Sequence, residues 1–345
     1  MEKINMKKCK VFLTSAMLVA AVTGANTVRA AEPVPEGSTV TITKSVNLTD
    51  EKTLMPNTSF NFTVESDKTA TGTKDNLEVQ PGVELTGKEF KVDYTNGDKP
   101  ETKNKKTTVD FANVEFPKAG IYRYVVKETE GKTLGVTYDK KEYVLDVYVY
   151  NGENGKFVAK YVVSHDKAKD AKEPIQFNNK LKTTSLTVKK VVAGNAGERD
   201  REFSFTLELT ANGQFTAGQK VTFIKRDKAQ KETPVEVTIG TPAQFTLKDT
   251  ETLTLDKLPV GISYKVNETV VDGYKTTAQL KDGDNTKVYN LGDAQTSDET
   301  ADVIEVTNNK EGIIPTGVVN TIAPFAALAI VAIGGSLYFV KRKKA

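Results

Sequence analysis

Three polar residues recur in the same order in the two halves of this 345-residue sequence: Lys44, Glu128 and Asn179, then Lys190, Glu268 and Asn308. Each lysine lies on the apolar face of an alternating run. Val40, Ile42 and Lys44 share one face of "VTITK", and Leu186, Val188 and Lys190 share one face of "LTVKK". The asparagines are placed likewise: Ile175, Phe177 and Asn179 in "PIQFNN", Ile304, Val306 and Asn308 in "VIEVTNN". Taken singly, such a lysine snorkels, the glutamate is solvated and the asparagine ends a strand. The repetition of all three argues for a shared role. A lysine in an apolar pocket loses hydration, so its pKa falls and a neutral, nucleophilic amine becomes available. A glutamic acid in the same pocket stays protonated, donates a hydrogen bond to the Asn carbonyl, and carries a proton to the departing ammonia. The expected product is a Lys–Asn isopeptide bond, which also removes two polar groups that are costly to bury.

The elements needed to bring these groups together are strands. Short alternating runs such as "SFNFTV", "IYRYVV", "YVLDVYVY", "FSFTLEL" and "ISYKV" are separated by turn residues, and helical periodicity is scarce between the two ends. The expected fold class is all-β, with two tandem immunoglobulin-like β-sandwiches. Each half opens on a Lys-bearing strand, continues with a Phe-rich strand, passes a Pro-Gly turn into a Tyr-bearing strand ending in Glu, and closes on the Asn-bearing strand. This order reads as an internal duplication with its boundary in "NKLKTTS".

The ends carry different signals. Residues 1–30 begin with Lys3, Lys7, Lys8 and Lys10, continue through an apolar run and finish on Val28-Arg29-Ala30, the pattern of a cleaved secretory leader. Near the other end, Pro315-Thr316-Gly317 precedes an apolar stretch at 321–340 of membrane-spanning length, then Lys341, Arg342, Lys343 and Lys344. The expected organisation is therefore leader 1–30, first sandwich 31–181, second sandwich 182–311, and sorting signal with span and basic tail 312–345.

Composition excludes several functions. Removing both ends takes nine of the 48 basic residues and one of the 45 acidic ones, leaving 39 against 44 and a net charge of −5. No nucleic-acid surface is expected. The one cysteine, Cys9, lies in the leader, so the mature chain forms no disulfide. The one histidine, His165, sits in the charged stretch "SHDKAKDAKEP" and reads as solvated. Neither a Cys/His dyad nor a zinc site is expected, and no cofactor or metal. The acidic turn "LKDGDNT" reads as a hairpin rather than a calcium loop.

From leader to basic tail, the chain resembles the Gram-positive backbone pilins of the T-antigen type, whose tandem CnaB-like domains form self-catalysed isopeptide bonds. The resemblance implies cross-links Lys44–Asn179 and Lys190–Asn308, with Glu128 and Glu268 as the catalytic acids. It implies sortase cleavage between Thr316 and Gly317 and transfer of the Thr316 carbonyl to a lysine of the next subunit, matched here by Lys172. Lys167 and Lys169 share the exposure expected of Lys172. The "IIPTG" form departs from the usual LPxTG, and the Tyr-Pro-Lys motif of many backbone pilins is absent. The implied function is a structural pilus subunit rather than a turnover enzyme. Its implied partners are other copies of itself, a pilus sortase, minor pilins and a host surface. Its implied location is the cell wall and surface fimbrium, after transient membrane anchoring. The alternative is a monomeric, sortase-anchored wall adhesin that binds a host ligand.

Overall fold

The computed structural model describes residues 37–48, 52–99 and 104–312. The leader, the stretch at 321–340, Thr316 and Gly317 lie outside the described residues. Among those described, the chain is built from strands, with a single short 3-10 turn at Glu153–Gly155.

The first sandwich pairs a four-stranded sheet with an eight-stranded one. The opening strand Thr39–Asn47 is central in the smaller sheet, between Asn104–Asp110 and the closing strand Gln176–Leu181. The opening and closing strands run parallel, with Lys44 opposite Phe177 and Val46 opposite Asn179. Lys44 and Asn179 are thus two positions apart in register and point to one face. The larger sheet contributes the Phe-rich strand Thr58–Ser66 and the Tyr-bearing strand Gly120–Glu128, paired so that Phe62 opposes Glu128. Ile42, Val46, Phe177 and Leu181 from one sheet meet Phe60, Phe62, Tyr124 and Val126 from the other in one core.

The second sandwich repeats the plan. The strands Thr183–Ala193 and Asp302–Asn309 are parallel neighbours in a seven-stranded sheet, with Lys190 opposite Val306 and Val192 opposite Asn308. The facing four-stranded sheet holds Phe203–Thr210 and Ser263–Glu268, with Phe205 opposite Glu268. Leu186, Val188 and Ile304 pack there against Phe203, Phe205 and Val266. In both halves the opening strand runs past its lysine, to Asn47 and Ala193, so each lysine is held from both sides rather than at a frayed end.

The acidic turn expected to be a hairpin is one: Lys275–Asp282 pairs with Asn285–Val288 through Gly283, whose φ of +56° favours glycine.

Candidate functional site

Each sandwich brings its Lys, Glu and Asn together between the two sheets. Lys and Asn come from the sheet of parallel neighbours, while Glu reaches in from the facing sheet. Lys44 Nζ lies 3.2 Å from Glu128 Oε2, and Asn179 Nδ2 donates to Glu128 Oε1 at 2.6 Å. Lys190 Nζ lies 2.9 Å from Glu268 Oε1, and Asn308 Nδ2 donates to that same oxygen at 3.1 Å. The Lys44 and Glu128 side chains are both fully buried, as is Lys190, with Glu268 at 1% exposure. Each ammonium also approaches the backbone carbonyl two residues before its asparagine: Phe177 for Lys44 and Val306 for Lys190, both at 3.4 Å.

Burial sets the electrostatics. Loss of hydration pushes the Lys44 pKa down to about 8 against the opposing pull of the Glu128 charge, and it lowers Lys190 in the same way. The same desolvation raises Glu128 and Glu268 despite their lysine neighbours. Both shifts favour a neutral amine beside a protonated carboxyl, the pair that nucleophilic attack on an amide requires. An ionised pair so buried would gain little net stability.

Aromatic rings complete each pocket. Lys44 Nζ sits 4.5 Å from the Phe60 ring centre, and Lys190 Nζ sits 4.4 Å from Phe203 and 5.8 Å from Phe205. These rings keep water out and place a π-face under the amine. Alternation alone marks the Phe-rich strands as half-buried and assigns their rings no role. The signal was present as Phe-x-Phe in both halves, "FNF" and "FSF".

Two expectations need correction. The carboxyl of Glu128 faces the amide nitrogen of Asn179, not its carbonyl; Asn179 Oδ1 instead accepts from the backbone N–H of Asp139 at 2.8 Å. A backbone N–H can only donate, so it fixes the orientation of the carboxamide. His165 is not solvated: it is 7% exposed, and burial lowers its pKa. The strand Phe157–Asp166 continues through the start of the charged stretch, with His165 opposite Val144, and solvent exposure begins only at Lys167.

Lys172 lies in a two-residue strand paired with His165 and is exposed. Its neighbours are engaged: Lys167 donates to Glu142 at 2.7 Å, and Lys169 contacts Asp166 at 3.2 Å and Glu173 at 3.3 Å. Among the described residues no carboxylate pairs with Lys172. Among the described residues no group of three or more His, Cys, Asp or Glu is arranged to hold a metal, and no helix is long and apolar enough to cross a membrane.

Residues 40–182 match the family described as the Spy0128-like isopeptide containing domain, and residues 184–310 match a domain of unknown function. The chain is 40% identical over 352 residues to a pilin of Streptococcus pyogenes serotype M1, covering 99% of this chain and all of that protein. It is similar to the solved major pilin protein T3.2 from Streptococcus pyogenes, with 48% identity and a TM-score of 0.77, covering 80% of this chain and 99% of the other. It is also similar to a further solved major pilin from Streptococcus pyogenes, with 37% identity, a TM-score of 0.74 and coverage of 80% and 99%. That pilin is represented as well by an asparagine-to-alanine and a glutamate-to-alanine mutant, altered at positions 51 apart. Glu128 and Asn179 are separated by the same 51 residues. The chain belongs to the major pilin family of these streptococcal proteins.

Proposed function

We propose that this chain is the shaft subunit of a sortase-assembled surface pilus, toughened by one self-formed Lys–Asn isopeptide bond in each sandwich. The observation that carries the reading is the buried Lys–Glu–Asn cluster, present twice at the same place in the fold. The matched 51-residue spacing of the altered Glu and Asn in the related pilin supports the assignment of Glu128 and Asn179. The protein is structural rather than a turnover enzyme. In each site the neutral lysine amine attacks the Asn carboxamide carbon, a C–N bond forms, and ammonia departs. The glutamic acid gives its proton to the leaving nitrogen, which it already faces, and is reprotonated by the attacking amine. No external reactant is consumed. We place the division of the chain at 31–181 and 182–311.

Between subunits, a sortase thioester on Thr316 is passed to Lys172, giving a head-to-tail, non-closing fibre. The exposure of Lys172, and the fact that no carboxylate among the described residues pairs with it, support it over Lys167 and Lys169, whose amines are engaged. Other copies of this chain, a sortase and minor pilins are its partners, at the cell surface.

Blotting of wall extracts tests this reading: a ladder of covalent multimers is expected, and a single band indicates a monomeric wall protein instead. Lys172→Arg should abolish the ladder while Lys167→Arg and Lys169→Arg leave it. A ladder that survives Lys172→Arg moves the acceptor elsewhere.

A further inference from the structure

The two clusters differ in one contact. In the first, Asn179 Oδ1 accepts a 2.8 Å hydrogen bond from the Asp139 backbone N–H. In the second, Asn308 Oδ1 is buried, and no donor among the described residues reaches it. The donor of the first site is itself held in place. The Asp139 carboxylate accepts the N–H of Asn178 at 2.8 Å through Oδ2 and the N–H of Lys141 at 3.0 Å through Oδ1. The segment around Asp139 is therefore clasped to the closing strand at two consecutive residues: one bond runs from Asn178 to Asp139, the other from Asp139 to Asn179. The proton relay differs as well. Glu128 uses one oxygen for Lys44 and the other for Asn179, whereas Lys190 and Asn308 share Glu268 Oε1.

When an amine adds to a carboxamide, charge develops on the oxygen. A donor already aimed at that oxygen in a dry site stabilises the transition state more than the ground state. We infer that the Asp139 backbone N–H is the carbonyl-polarising donor of the first site, and that the bond Lys44–Asn179 therefore closes before Lys190–Asn308. The step balances: the Lys44 Nζ–Asn179 Cγ bond forms, the Asn179 Cγ–Nδ2 bond breaks, and ammonia leaves carrying the proton relayed by Glu128. Asp139 contributes charge stabilisation and gains or loses no proton. The inference rests on the isopeptide reading above and adds to it a second catalytic contact and an order of maturation.

The test follows freshly synthesised full-length chain, from a cell-free translation reaction stopped at intervals, by peptide-level mass spectrometry of both junctions. Removal of a single donor of this kind lowers rates by about 10²–10³-fold. The first junction is therefore expected to convert at least about tenfold faster than the second. Asp139→Pro deletes the N–H and Asp139→Ala loosens its clasp. Both should slow the first junction and leave the second unchanged. If the proline variant fails to fold, the wild-type order and the alanine variant still decide. Equal rates at the two junctions, or faster closure of the second, overturn the inference while leaving the isopeptide reading intact. Loss of no ammonia at either junction overturns both.

Discussion

Lys190 Nζ lies 2.9 Å from Glu268 Oε1 with both side chains sealed from water, so an acid and a base that would normally sit at the surface meet inside a sandwich core. Lys44 and Glu128 reproduce the relationship in the other sandwich. Burial costs of this size are sustained only where the groups are paired or consumed by reaction.

Removing either acid should cost one bond. The wild-type chain is expected to weigh less than its sequence by two ammonia molecules, and Glu128→Ala or Glu268→Ala by only one. Each variant also leaves an amine buried without its hydrogen-bond partner, a loss of about 1–3 kcal/mol. The missing cross-link over a loop of this length costs about 4–5 kcal/mol more on the disulfide analogy. Intact mass and urea unfolding check both numbers. A Glu268→Ala chain that still lacks two ammonia molecules refutes the assignment.

The depressed pKa of Lys44 has a signed consequence in Glu128→Gln, where no bond forms and the carboxylate that raises the lysine pKa is gone. Lys44 then titrates below about 8 in the folded chain and near 10.5 unfolded. Within that window the unfolded state binds more protons, so stability rises with pH. The expected gain between pH 7.5 and 10.5 is about 3 kcal/mol. A flat profile, measured against Glu128→Gln carrying Lys44→Met, would show that Lys44 is not buried as a suppressed base.

Phe60 should act chiefly by bulk. Phe60→Ala opens a space under the amine and is expected to destabilise the uncross-linked domain by about 3–5 kcal/mol and to slow bond formation by admitting water. Phe60→Leu keeps the site dry and should form the bond at nearly the wild-type rate, since the π contact is worth about 1 kcal/mol. Junction mass spectrometry over time separates these; an equally slow leucine variant would assign the effect to the ring itself.

The topology also predicts which bond carries tension. Given the cross-links and the Lys172 acceptor proposed above, a force applied at Lys172 and Thr316 is expected to follow the chain through Gln176–Leu181 into Thr183–Ala193 and then cross at the proposed Lys190–Asn308 bond. The proposed Lys44–Asn179 bond lies off this path. In single-molecule pulling between these two points, Lys190→Ala should release on the order of 400 Å of chain, at about 3.4 Å per residue. Lys44→Ala should release none. Equal extension in the two variants would mean that load enters elsewhere than Lys172.

Much of this site was legible along the chain, because a period of two reports which face a residue occupies without reference to its neighbours. Val40, Ile42 and Lys44, or Ile304, Val306 and Asn308, declare a buried face wherever the strand ends up. Repetition of the order Lys, Glu, Asn made the unusual members stand out. Periodicity carries no information on partners across a sandwich. The parallel pairing that sets Lys44 two positions from Asn179, the Phe60 and Phe203 rings beneath the amines, and the Asp139 N–H on Asn179 Oδ1 are all contacts between distant segments. His165 shows the reverse failure: its neighbours are charged, yet the strand it belongs to carries it under cover. Sequence by itself determined which faces are apolar and which reactive groups lie on them, since that depends on local backbone geometry alone. Only the tertiary structure decided which oxygen faces which nitrogen and that the amines of Lys167 and Lys169 are engaged by carboxylates, since those depend on how strands and sheets pack.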